Sequence, residues 1–208
     1  MSYLFNDQKI LCLSPHPDDV EFSISGLILK SEKTQFDILL GSYGGNFDVT
    51  TGENRLEEFK KAWNDTGLKN VNLIFKNIYG KPENEAVNVL DDFLSQNYDT
   101  LIIPTGNNED SHYYHRFFNS AALAASRSKN INIVEYKTAS TLENWIPNFY
   151  VDISSVYEKK KQILSNFNSQ LHRPYFQDDV FDSFHHNYNC FKRGLGCVES
   201  LKILRWYT

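Results

Sequence analysis

The chain has 208 residues, 41% of them hydrophobic and 23% charged, with a formal net charge of −5. That length buries a full core in one domain, and the balance excludes a disordered or low-complexity chain. The acidic sum and the lack of any basic run exclude a phosphate-binding nucleic-acid surface. The longest apolar runs, FDILL and TLIIP, fall far short of the roughly 20 residues a membrane-spanning helix needs, so no membrane insertion is expected.

Taken in chain order, short apolar runs alternate with stretches of helical spacing, which predicts a Rossmann-like α/β fold: a mostly parallel sheet with helices on both faces. Ile10 to Leu13 reads as a buried strand, Val20 to about Lys33 as a helix carrying Ile24, Leu27 and Ile28, and FDILL at 36–40 as the second strand. Asn54 to Thr66 reads as a helix stopped by Gly67, VNLIF at 71–75 as a strand, Asn84 to Gln96 as a helix, and Thr100 to Ile103 as the fourth strand. The alanine-rich stretch from His115 to Ser128 is a helix for close packing, and INIVEY at 131–136 the fifth strand.

From Lys137 the pattern weakens. Asp152 and Ser154 suit a cap for a helix reaching about Ser165, and Ser200 to Tyr207 reads as either an edge strand or a short helix. With no repeat and no linker-like shift, 1–208 is expected to be one domain, with 1–136 as the core and 137–208 as an appendage closing the site. MSYLFNDQKI lacks the basic start and cleavage signal of a secreted chain, so a cytoplasmic location is expected. Cys12, Cys190 and Cys197 form no CxxC pair, which fits reduced thiols.

In an open parallel sheet, ligands gather beyond the carboxyl ends of the strands. Here those ends are polar: SPHPDD, GSYGGN, KNIYGK and PTGNNEDSHYYHR. His16, Asp18 and Asp19 should therefore share a cleft with His112 and His115, which begin a helix that Asp110 or Ser111 can cap. Imidazole and carboxylate are ligands of zinc, whose catalytic sites keep three protein ligands and one open position. Five candidates exceed three, and hydrolysis also needs a base and an oxyanion donor.

At this point the chain resembles the PIG-L, or LmbE-like, family of N-acetylglucosamine deacetylases. His16, Pro17, Asp18, Asp19 and Glu21 match its HPDD motif and following glutamate, Arg55 to Glu58 its RxxE helix, and His112, His115 and Arg116 its late HxxH and arginine. Pro147, VDIS at 151–154, Ser169, Gln170, Arg193, Gly194 and Glu199 extend the similarity. The resemblance implies that His16, Asp19 and His115 hold Zn2+, that Asp18 is the general base and that His112 stabilises the oxyanion. The expected substrate is a small acetamido sugar or sugar conjugate. Tyr113 and Tyr114 stand where the family often has proline and an acid, so a carboxylate orienting His112 must come from Asp110 or Glu109.

Arg55 and Arg116 are candidate substrate contacts, each weighed against a surface ion pair. Glu21 reads as either a site contact or helix-terminus support, with the latter favoured, and His172, His185 and His186 as ordinary partly buried histidines. The glycines of GSYGGN serve either a turn or a phosphate nest. Two histidines and a carboxylate are also the ligands of non-haem Fe2+ enzymes. That alternative, and a non-catalytic module whose metal only fixes loops, stand beside the hydrolase. A homo-oligomer is left open.

Overall fold

The computed structural model describes residues 3–44, 50–186 and 196–207; Cys190, Arg193, Gly194 and two residues of GSYGGN, Gly45 and Asn46, lie outside them. The strands are β1 (Lys9–Ser14), β2 (Gln35–Leu40), β3 (Val71–Phe75), β4 (Thr100–Pro104), β5 (Asn132–Tyr136), β6 (Phe149–Asp152) and β7 (Val198–Arg205). The helices are α1 (Asp19–Lys30), α2 (Gly52–Asn64), α3 (Glu83–Leu94), α4 (Tyr113–Ala125), α5 (Tyr157–Leu164) and α6 (Asp178–His185). All seven strands form one sheet in the order β3-β2-β1-β4-β5-β7-β6. β1 to β5 pair in parallel, and β7 runs antiparallel to both β5 and β6.

Side chains alternate across the sheet, as the period of two in a strand requires. Ile10 and Cys12 of β1 enter a core with α1, α2, α5 and α6, whereas Leu11 and Leu13 enter a second core with α3 and α4. Helices thus cover both faces, and the four parallel strands interior to the sheet, β2, β1, β4 and β5, are buried almost throughout, as parallel strands covered on both sides are.

Two expectations are corrected. Of the segment 200–207, residues up to Arg205 belong to β7, an interior strand between β5 and β6, and form neither an edge strand nor a helix. Its charges are accommodated individually: Lys202 pairs with Glu109 at 2.8 Å, and Arg205 donates to the carbonyls of Ile131, Ser126 and Lys129. The edge on that side is β6, only four residues long. The second correction concerns the HxxH turn: α4 is capped by His112 itself, whose Nδ1 accepts the Tyr114 N–H at 3.2 Å, and not by the side chain of Asp110 or Ser111.

The segment after Lys137 is locked to the core by a buried ion pair. Glu199 of β7 receives Lys160 of α5 on Oε1, both side chains fully buried, and also accepts the Gly26 and Leu27 N–H groups of α1 at 2.7 Å each. Gly26 is required there, because a Cβ would stand 2.6 Å from Ile153 Cγ2 and 2.8 Å from Glu199 Oε1.

Candidate active site

β1 ends at Ser14, and SPHPDD turns directly into α1. The turn is held from within: Ser14 Oγ donates to the His16 carbonyl at 2.7 Å, and the His16 N–H to Asp19 Oδ2 at 2.8 Å. Asp18 takes a left-handed backbone, φ 109°, a conformation costing a non-glycine residue about 1–3 kcal/mol and typical of functional sites. Its N–H donates to Glu21 Oε2 at 3.1 Å, and its carbonyl accepts the Phe22 N–H at 2.7 Å. Glu21 is fully buried, receives Trp63 Nε1 on its other oxygen, and is pushed up to about 8 by burial despite that bond. It supports the helix terminus, as read from the sequence.

The histidine-bearing turn after β4 meets this one. Ring centroids lie 4.7 Å apart for His16 and His112, 4.5 Å for His112 and His115, and 5.4 Å for His16 and His115. Asp19 sits between two of them, with Oδ2 3.0 Å from His16 Nδ1 and Oδ1 3.3 Å from His115 Nε2. Gly44 passes so close that a Cβ would stand 2.7 Å from His16 Cδ2, and its φ of +60° also favours glycine. That position of GSYGGN serves a turn and a close approach to His16.

These groups fit a metal ion. One nitrogen each from His16, His112 and His115 lies within 4.8 Å of the other two, close enough for two of the rings to ligate an ion and the third to face whatever the ion binds. Asp19 reaches His16 and His115 through different oxygens, and a carboxylate beside two imidazoles is a donor set that zinc accepts. His115 Nε2 is buried without a hydrogen bond, its approach to Asp19 being misaligned for one. Burial opposes a proton on His115, but Asp19 and Asp110 outweigh it and hold the ring up at about 10. The same histidines hold Asp19 well below the carboxylate range against burial.

Asp110 is the residue that sequence reasoning placed wrongly. Its carboxylate orients the ring of His115, not that of His112: Oδ2 lies 3.2 Å from His115 Nδ1, and Oδ1 accepts the His112 backbone N–H at 2.7 Å. Thr138 Oγ1 and Ser140 Oγ donate to Asp110 at 2.6 and 2.7 Å. Glu109, the other candidate, faces Lys202. A carboxylate behind a ligating imidazole fixes its tautomer and raises its basicity. Nothing local in the sequence marks this, since Thr138 and Ser140 come from the β5 end.

Asp18 is buried and raised to about 6, burial outweighing the lowering by Arg55. Arg55 is itself 3% exposed; it donates to the Pro17 carbonyl and lies 3.2 Å from Asp18 Oδ2, so it is not a surface pair. Three residues on, Glu58 accepts the Ser169 N–H at 2.8 Å and Ser169 Oγ at 2.6 Å. The two charges of RxxE therefore act in opposite directions, one on the HPDD turn and one on the segment carrying Gln170. Arg116 donates to the carbonyls of Asp110 and Ser111 at 2.9 and 2.7 Å and braces that turn.

A cavity of about 520 Å³ opens on the cluster, lined among others by Asp18, Asp19, Arg55, His112, His115, Ser140, Gln170 and Arg173. Among the described residues six buried side-chain polar atoms lack a hydrogen bond, and five of them belong to residues of this cavity: Asp18, Ser23, Arg55, His115 and Arg173. Native interiors satisfy such atoms almost everywhere, so their concentration marks a polar ligand site.

Residues 11–126 match the family model for PIG-L, GlcNAc-PI de-N-acetylase. The chain belongs to the PIG-L family. The diacetylchitobiose deacetylase of Thermococcus kodakarensis is 24% identical over 203 residues, covering 86% of this chain and 74% of that protein. Among solved structures, the conserved protein TT1542 of Thermus thermophilus superposes with a TM-score of 0.76 at 19% identity, covering 97% of each chain. The 4-carboxy-2-hydroxymuconate hydratase GalB of Pseudomonas putida KT2440 has a TM-score of 0.76 at 15% identity, covering 97% of this chain and 98% of its own. At such identities the superpositions establish a PIG-L fold. No helix among the described residues is long and apolar enough to cross a membrane.

Proposed function

We propose that this PIG-L protein is a zinc-dependent N-deacetylase that hydrolyses the acetamido group of an N-acetylglucosamine-type sugar or conjugate to the free amine and acetate. The observation that carries the reading is Asp19 held between His16 and His115, with Asp18 buried next to it in the same cavity. His16, Asp19 and His115 would hold the ion. A bound Zn2+ supplies Lewis acidity toward the amide carbonyl and lowers the pKa of a water toward neutrality.

The remaining work falls to side chains. Asp18 takes the proton of the attacking water and returns it to the departing nitrogen, so that one carboxylate serves as base and then acid. Arg55, 3.2 Å from Asp18 Oδ2, fixes that carboxylate and favours its charged form. His112 has a different task from the other two histidines. Its Nδ1 accepts the Tyr114 N–H, which leaves the proton of a neutral ring on Nε2, a donor and not a ligand. That supports His112 as the group that holds the developing oxyanion, a contact of the kind that contributes about 3–4 kcal/mol.

The competing Fe2+ reading uses the same ligand set, and metal analysis of the purified protein together with oxygen uptake separates the two. The direct test is release of acetate from N-acetylglucosamine and N,N′-diacetylchitobiose by zinc-loaded protein. The reading requires stoichiometric acetate and free amine, abolished by a chelator and restored by Zn2+. It fails if well-folded, zinc-loaded protein releases neither from a panel of free, phosphorylated and glycosidically linked acetamido sugars.

A further inference from the structure

Arg173 is a cation of the cavity whose Nε is buried without a partner among the described residues. Surface lysines such as Lys61, Lys81, Lys129, Lys161 and Lys202 each sit on a carboxylate, and the second guanidinium of the cavity, Arg55, is matched by Asp18 at 3.2 Å. Arg173 lines the same cavity, yet its guanidinium makes no ion pair or hydrogen bond among the described residues, and its Nε is buried without a partner. A buried donor left unpaired costs about 1–3 kcal/mol, more when it is charged.

The segment that presents Arg173 is built, not loose. Glu58 of α2 clamps Ser169, Ser169 Oγ accepts Gln170 Nε2 at 2.9 Å, and the Arg173 N–H closes onto the Gln170 carbonyl at 2.8 Å. Pro174 to Phe176 then form a 3-10 turn, and Tyr175 packs edge-on against Phe22 of α1 at 5.6 Å. Next to Phe22 is Ser23, only 4% exposed, whose hydroxyl also lines the cavity and also lacks a partner. One wall, made of α1 and the 169–176 segment, thus offers a planar cationic fork and a hydroxyl that find no acceptor among the described residues.

We infer that Arg173 and Ser23 form an oxyanion subsite in this cavity, which selects acetamido sugars that carry a phosphate or carboxylate beyond the ring. The guanidinium fork matches the paired oxygens of either group, and the hydroxyl adds a third donor. The identity of the sugar rests on the deacetylase reading; the subsite itself does not.

The test is calorimetric binding to zinc-loaded, full-length protein of three amine probes that undergo no turnover: glucosamine, glucosamine 1-phosphate and glucosamine glycosidically linked to glycolic acid. The wild type is expected to bind at least one charged probe about tenfold or more tighter than glucosamine, the scale of a charge-assisted bond, and the stronger arm identifies phosphate or carboxylate. Arg173→Gln should bring that ratio to within about twofold, Arg173→Lys should retain part of it, and Ser23→Ala should reduce it less than Arg173→Gln. A melting curve for each variant checks folding. An unchanged preference in a folded Arg173→Gln variant, or no preference in the wild type, overturns the subsite. Absence of acetate release from every acetamido sugar, with the binding preference intact, would overturn the deacetylase reading and leave the subsite standing.

Discussion

Glu199→Ala tests how the C-terminal segment is fastened to the helix that bears the site. The carboxylate is fully buried and accepts three donors: the Gly26 and Leu27 N–H groups at 2.7 Å each, and the equally buried Lys160 ammonium. Orphaning two backbone N–H groups costs about 1–3 kcal/mol each, and removing one partner of a buried ion pair about 3–5 kcal/mol. These contributions do not add fully, because burial already depresses the Lys160 pKa and the amine can shed its proton. A loss of at least about 4 kcal/mol is expected, a large part of the roughly 5–15 kcal/mol that holds a domain folded. Urea unfolding followed by circular dichroism measures it. The double variant Lys160→Met, Glu199→Gln removes both charges and keeps one acceptor for α1, so it should recover half or more of the loss. A Glu199→Ala transition within about 1 kcal/mol of the wild type would refute the reasoning.

Asp18→Asn should keep its zinc content and lower kcat by about 10²–10⁴, the usual contribution of a general base; steady-state acetate release with parallel metal analysis checks both halves. Glu58→Ala frees the Ser169 N–H and hydroxyl from their acceptor and should raise KM for the acetamido sugar by about tenfold while leaving kcat near the wild-type value, on the scale of a hydrogen bond to a charged group. His185 is buried against the Phe181 and Phe22 carbonyls, and burial, then Lys160, hold it well below its ordinary value. The unfolded chain therefore binds a proton near about pH 6.5 that the folded chain refuses. Its contribution to stability is complete above that pH and is lost as pH falls below it. His185→Gln should flatten the decline in urea midpoint between about pH 6.5 and 5 relative to the wild type.

The parallel core was legible because most of its strands are buried on both faces and so appear as short, largely apolar runs: KILCL, FDILL, TLIIP and NIVEY fall in β1, β2, β4 and β5, and VNLIF marks β3 although that strand lies half-exposed at the sheet edge. The HPDD and HxxH groups were legible because they follow β1 and β4, which the sheet places side by side. β6 was not, since FYVD is four residues long with three of them half-exposed. β7 was ambiguous because its charges, Lys202 and Arg205, find partners distant in sequence. The Asp110 network and the clamp of Glu58 on Ser169 were hidden for the same reason: each joins segments 28 or more residues apart. Arg173 has no local signature, and only the cavity distinguishes it from a surface arginine.

The central claim is that one divalent ion sits on His16, Asp19 and His115 with His112 held back as a donor. A crystal structure of zinc-loaded protein with anomalous data at the zinc edge addresses it directly. The account predicts a single peak within about 2.0–2.2 Å of one oxygen of Asp19 and one nitrogen each of His16 and His115, with His112 Nε2 beyond bonding distance. A peak coordinated by His112 in place of Asp19, or no peak between β1 and α4, would contradict it.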